Sequence, residues 1–176
     1  MHDIDIPYIY NWRDIMNQEK NIITTCCFIG HRTITVTEEL KIHLYEIIEN
    51  LIVEKNVDTF LFGSKSQFNS LSYETVTKIK EKYPHIKRIY VRAEFPQINI
   101  NYKTYLLEKY EDTYYPQKLL KAGKAAYVER NHEMIDKSLF CIIYYQEGYL
   151  PKNRKSGTKL ALVYAINKNR EVIKLP

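Results

Sequence analysis

The chain has 176 residues, 45% of them hydrophobic and 27% charged with both signs represented, a balance that fits one folded domain and excludes a fibrous repeat or a disordered charged tail. Its net charge of +5 permits nucleic-acid contact, but the basic residues are spread along the chain, so a nucleic-acid surface is not expected. The most apolar run, Leu139 to Tyr145, is far short of the ~20 residues that cross a bilayer as a helix.

Residues 1–22 read as an N-terminal extension. Met1 to Lys20 mixes Asp3, Asp5, Asp14 and Glu19 with Tyr8, Tyr10 and Trp12, and has neither the basic nor the apolar region of a signal peptide. Thr24 to Ile29 is a short apolar run closed by Gly30, the pattern of a buried strand and a turn. From Thr37 to Lys55, Leu40, Leu44, Ile47, Ile48, Leu51 and Ile52 recur at helical spacing, with Thr37 as N-cap and Glu38 and Glu39 in the first turn. Thr59 to Phe62 is a second strand, cut by Gly63. After the polar loop Ser64 to Asn69, a helix capped by Asn69 or Ser70 runs to about Tyr83, where Pro84 ends it. Arg88 to Val91 is the third strand.

The rhythm then breaks. Residues 93–123 carry Pro96, Pro116 and the tyrosines 102, 105, 110, 114 and 115, with a short helix expected around Tyr102 to Tyr110. Such an excursion is either a lid or a cover for the sheet edge or a homo-oligomer contact. A helix from Ala125 to Lys137, a strand from Leu139 to Tyr145, a loop from Gln146 to Lys155, a helix from Gly157 to about Lys168 and a strand from Glu171 to Leu175 complete the chain. Five strands alternating with helices imply right-handed βαβ units, and so a Rossmann-like three-layer α/β sandwich with a mainly parallel sheet.

Cys26, Cys27 and Cys141 all fall in apolar runs, which reads as reduced, buried thiols and a cytoplasmic setting. No histidine stands at a metal-ligand spacing, so neither a metal nor a cofactor is expected.

In such a sheet ligands bind outside the carboxyl ends of the strands, where helix N-termini present free amides. Three loops qualify. The first is Gly30, His31 and Arg32. The second, Gly63, Ser64, Lys65, Ser66, Gln67, Phe68 and Asn69, offers a glycine for close approach, small polar side chains and a lysine, without the Walker A order. The third is Ser156, Gly157 and Thr158, flanked by Lys155 and Lys159 within a cluster that includes Lys152 and Arg154; Ser156 also has the plain role of an N-cap. Tyr127, Arg130, Asn131 and Met134 share one helix face, which either borders a polar pocket or holds Arg130 in an ion pair. Glu74 is the carboxylate expected to face ribose hydroxyls, against the simpler reading of an exposed helix glutamate.

The order Cys27-Phe28-Ile29-Gly30-His31-Arg32, then Gly63 to Asn69 with Glu74 downstream, then Glu129 to Ser138, then Ser156-Gly157-Thr158 resembles the YpsA-like branch of the SLOG superfamily over roughly residues 24–175. The resemblance implies a Rossmann-like fold with a pocket for nucleotides or their derivatives, related to the LOG-type phosphoribohydrolases. Arg130 is similar to the arginine those enzymes use in cleaving the N-glycosidic bond, and Gly157-Thr158 to the Gly-Thr of their glycine-rich loop. The glutamates that follow that loop are replaced here by Leu160 and Ala161, which removes a group for glycosidic chemistry.

Three functions follow. The first is a module that binds or senses a nucleotide-like ligand, with Lys65, Arg130 and Ser156 to Thr158 on phosphate, Glu74 or Asn69 on ribose, and Phe68 or Tyr145 against the base. The second is an enzyme of the N-glycosidic bond with Glu74 and Arg130 as catalytic residues. The third is a protein-interaction module with a vestigial pocket.

Overall fold

The computed structural model describes residues 12–63, 65–148 and 156–176. The N-terminal extension contains a helix, α1 (Trp12–Ile23), which leads straight into β1 (Thr25–Gly30). There follow α2 (Glu38–Lys55), β2 (Thr59–Phe62), α3 (Gln67–Lys82), β3 (Lys87–Val91), α4 (Ile100–Leu107), β4 (Asp112–Tyr114), α5 (Ala126–Asp136), β5 (Phe140–Tyr144), α6 (Gly157–Asn167) and β6 (Glu171–Leu175). Two short 3-10 turns precede α5.

The strands form one six-stranded sheet in the order β4-β3-β2-β1-β5-β6, and every pairing is parallel. The α/β sandwich expected from the alternating elements is therefore present, with one strand more. That strand, β4, lies inside the tyrosine-rich excursion and pairs Ile89 with Asp112, Tyr90 with Thr113 and Val91 with Tyr114. Only three residues long and without an apolar run, it carries no periodic signal; its position is fixed by β3 beside it.

The pleat sends alternate side chains of one strand to opposite faces, and β1 shows the result. Cys26 and Phe28 enter a core with Phe60, Phe62, Leu44 and Phe68 from β2, α2 and α3. Cys27 and Ile29 enter the opposite core with Ile143, Met134 and Ala161 from β5, α5 and α6. Helices thus cover both faces, which is why the central strands are apolar throughout. Phe28 stacks on Phe60 and Phe62 at ring centroid distances of 5.9 and 5.1 Å. Each such buried ring contributes ~1.5–3 kcal/mol. On the other face the Cys27 thiol lies 3.5 Å from that of Cys141, and all three cysteines are free and buried.

The helix starts are set by side chains. Thr37 accepts from the Leu40 N–H at 3.1 Å, as its position implies. At α3 the cap is Ser66, which accepts from the Asn69 N–H at 3.1 Å, so the expected caps Asn69 and Ser70 already lie within the helix. The hydroxyl three residues ahead of the third helical amide has the reach; Asn69 has another role, described below. Ser156 caps α6 by accepting from Lys159 at 3.2 Å.

Much of the excursion is part of the fold. Its helix spans Ile100–Leu107 rather than Tyr102 to Tyr110, and the Tyr110 ring packs at 5.2 Å from Tyr90 and 5.0 Å from Tyr73. Tyr110 and Tyr114 pack against the two cores and are too deeply held to serve as a lid, whereas Tyr105 is exposed.

Gly30 ends β1 against the first turn of α3. A Cβ there would stand 2.4 to 2.7 Å from the ring and Cβ of Phe68, a side chain with no exposed surface. Gly30→Ala is expected to cost ~1–3 kcal/mol through overpacking, read as a lower urea midpoint with an unchanged slope.

Candidate functional site

In a parallel sheet every βα turn opens on the same edge, and the order places the topological switch between β1 and β5. A pocket of about 540 Å³ lies there. The three loops named from sequence meet in it: Gly30 to Arg32 after β1, Gly63, Lys65 and Ser66 after β2, and Ser156 to Thr158 at the start of α6. Tyr127, Arg130 and Asn131 of α5 line it as well, while Met134, one turn on, is buried in the core below.

Arg130 is the central feature. It is 3% exposed, its Nε donates to Asn131 Oδ1 at 3.0 Å, and its guanidinium carbon lies 5.9 Å from the Tyr127 ring centroid. Among the described residues no carboxylate comes within the 4.0 Å of an ion pair, so the ion-pair alternative for this helix face does not hold there. Burial pulls the Arg130 pKa down to about 10, opposed by Tyr90, Glu94 and Tyr127, which leaves it cationic at neutral pH. A buried cation of this kind is costly without a counter-charge. Its position depends on Gly63: a Cβ at that residue would meet Met134 Sδ at 2.6 Å, Arg130 Cδ at 2.7 Å and Arg130 Nε at 2.8 Å.

The first turn of α6 adds the amides of Gly157 and Thr158 and the positive end of an 11-residue helix. Lys65 stands at the rim with its side chain 74% exposed.

Several expected ligand groups serve the scaffold instead. Asn69 is buried and its Oδ1 accepts from the Gly63 N–H at 3.3 Å, holding the loop after β2. Gln67 Oε1 accepts from Ile34 N–H at 2.9 Å, and its own N–H donates to the Arg32 carbonyl at 2.8 Å, tying the first two loops together. Phe68 has no exposed surface and packs under Gly30, so it presents no ring to a base. Tyr145 lies beyond the pocket lining, 5.4 Å from the His31 ring. Ser64, Lys152, Arg154 and Lys155 lie outside the described residues.

Glu74 is corrected. Two turns into α3, it is exposed and borders a separate groove with Glu38, Tyr45 and Glu49, because the face of α3 that carries it looks toward α2. The carboxylate that does line the pocket is Glu94, three residues past the end of β3. Its Oε1 accepts from the Tyr127 hydroxyl at 2.8 Å, and its Oε2 lies 3.5 Å from Lys65 Nζ. The sequence does carry a signal for it: the turn after the third strand opens on the same edge as the other two. Its place at the head of the tyrosine-rich residues 93–123 masks that turn.

Among the described residues no group of three or more His, Cys, Asp or Glu is arranged to hold a metal ion, and no helix is long and apolar enough to cross a membrane. No protein-family model matches the chain, and no curated protein matches it.

His31 closes the pocket floor. It is 2% exposed, and its Nε2 accepts the Gln146 N–H at 2.9 Å, joining the β1 loop to the segment after β5. Burial lowers its pKa from the ordinary 6.5, partly offset by the Gln146 carbonyl. A base whose folded pKa is depressed stabilises the fold above its unfolded value and loses that contribution as pH falls. Melting temperature should therefore decline from about pH 6.5 downward, and His31→Gln, which keeps an acceptor without a titrating group, should flatten that part of the profile. An identical acid slope in the variant would exclude His31 as its source.

Proposed function

We propose that this chain binds a phosphate-bearing nucleotide or nucleotide-derived molecule in the strand-end pocket, and that it does so as a Rossmann-like member of the SLOG superfamily working in a reducing, cytoplasmic setting. The observation that carries this reading is Arg130, a buried guanidinium with one hydrogen bond of 3.0 Å and no ion pair among the described residues. An anion is the partner that offsets the cost of burying it. The amides of α6 and the Lys65 ammonium supply further anion donors on the same edge. A volume of about 540 Å³ exceeds a lone phosphate and falls in the range of small-molecule sites, ~300–1,000 Å³.

Of the alternatives, glycosidic chemistry loses the residue assigned to it, since Glu74 lies in another groove and Leu160 and Ala161 follow Gly157-Thr158. A pure interaction module leaves the burial of Arg130 without purpose. Binding or sensing is preferred for those two reasons.

A thermal-shift panel of nucleoside mono-, di- and triphosphates tests it. Ligand at a hundredfold excess over its dissociation constant stabilises by ~2.7 kcal/mol, and nucleosides lacking phosphate should give no shift. Arg130→Lys keeps the charge but loses the planar fork, and should weaken binding by ~10-fold or more. A panel that leaves the wild type unmoved, or a lysine variant that binds as well, would refute the proposal.

A further inference from the structure

The pocket holds anion donors and a carboxylate side by side, and the carboxylate selects what the donors cannot. Arg130 and the α6 amides form the cationic pole. Glu94 is the carboxylate that the described residues contribute to the same lining, beside Lys65 and Tyr127. Its position is built: it sits on the turn after β3, and Tyr127, from the first turn of α5, holds one oxygen at 2.8 Å. An ionised carboxylate offers about four acceptor sites. Here Tyr127 fills one, and the other oxygen has a 3.5 Å contact with a lysine that is itself 74% exposed. A contact so long and so well solvated is readily exchanged.

A carboxylate beside these anion donors constrains how an anionic ligand can lie. Phosphate is drawn to Arg130 and repelled by Glu94, so the part of the ligand that reaches Glu94 must carry hydrogen-bond donors and no negative charge. In a nucleoside phosphate the group that lies one sugar away from the phosphate and bears two adjacent donors is the ribose 2′,3′-diol. We infer that Glu94, oriented by Tyr127, is the specificity determinant that selects ribose over deoxyribose ligands, with Lys65 passing from Glu94 to the phosphate when such a ligand binds. The inference rests on the nucleotide reading above.

Titration calorimetry with the four ribonucleoside 5′-monophosphates and their 2′-deoxy and 3′-deoxy counterparts tests it, with inorganic phosphate as a separate probe of the cationic pole. A hydroxyl bonded to a charged, partly desolvated acceptor is discriminated strongly, so the full-length wild type should favour the best ribonucleotide over its deoxy forms by ~10-fold or more. Glu94→Ala should collapse that ratio to within ~2-fold while the response to inorganic phosphate persists. Tyr127→Phe, which removes a single exposed-side hydroxyl and keeps the fold even where Glu94→Ala does not, should lower the ratio in the same direction. A wild-type ratio near one, or a ratio that survives in both variants, overturns the inference and leaves the nucleotide reading intact. Equal losses for ribo and deoxy ligands in Glu94→Ala would assign the carboxylate to the base amino group and also overturn it. If inorganic phosphate binds and no nucleotide does, both readings fall.

Discussion

One buried guanidinium sets the terms for this edge of the molecule. Arg130 is wedged between α5 and the end of β2, and the fit exists because residue 63 has no side chain. Asn69 then holds the Gly63 amide, Ser66 caps the helix that carries Asn69, and Gln67 in the same turn grips the loop after β1. A chain of short-range contacts therefore runs from one buried charge to two of the loops around the pocket. Polar side chains that look like ligand donors in the sequence are occupied in keeping this cation in place.

Placement at the switch point between β1 and β5 follows from topology rather than from any single residue. The β2, β3 and β4 side and the β5 and β6 side diverge from β1, so the helices that follow their strands part company there and leave a cleft. His31 bridges it by accepting from Gln146, 115 residues away. The cleft is thus spanned by the hydrogen bond that the Gln146 N–H donates to the His31 imidazole, and it is also lined by Glu94, Tyr127 and Lys65.

The alternation of apolar runs with helical stripes made the sheet, its parallel sense and the three loops at its carboxyl edge legible in the sequence. So was the polar stripe of α5, because arginine and asparagine are out of place on a core-facing helix. What stayed hidden shares a physical cause: it is decided by neighbours distant in sequence. β4 is a strand because β3 lies beside it. Glu74 looks well placed along the chain, yet the rotation of α3 against α2 turns it away from the pocket. Glu94 looks like loop, yet the return of α5 across the sheet brings Tyr127 to it. Phe68 and Asn69 read as ligand groups on the polar loop that opens with Gly63, and only the close approach of Gly30 to Phe68 and the Asn69 bond to Gly63 show that they are structural.

The central strand also has a consequence for how the protein comes off the ribosome. On one side β1 pairs with β2 about thirty residues later, Cys26 with Phe60; on the other it pairs with β5, Cys27 with Cys141, 114 residues on. While the chain is being made, the first side can assemble early from near neighbours, whereas the other edge of β1, all apolar, must wait for most of the polypeptide to emerge. During that interval the nascent chain carries an unpaired hydrophobic strand edge, the kind of surface that templates aggregation. The guanidinium arrives with α5 and the imidazole acquires its amide with the segment after β5, so the binding cleft is completed late in synthesis. A chain cut short before α5 lacks Arg130 and Gln146, and with them the pocket.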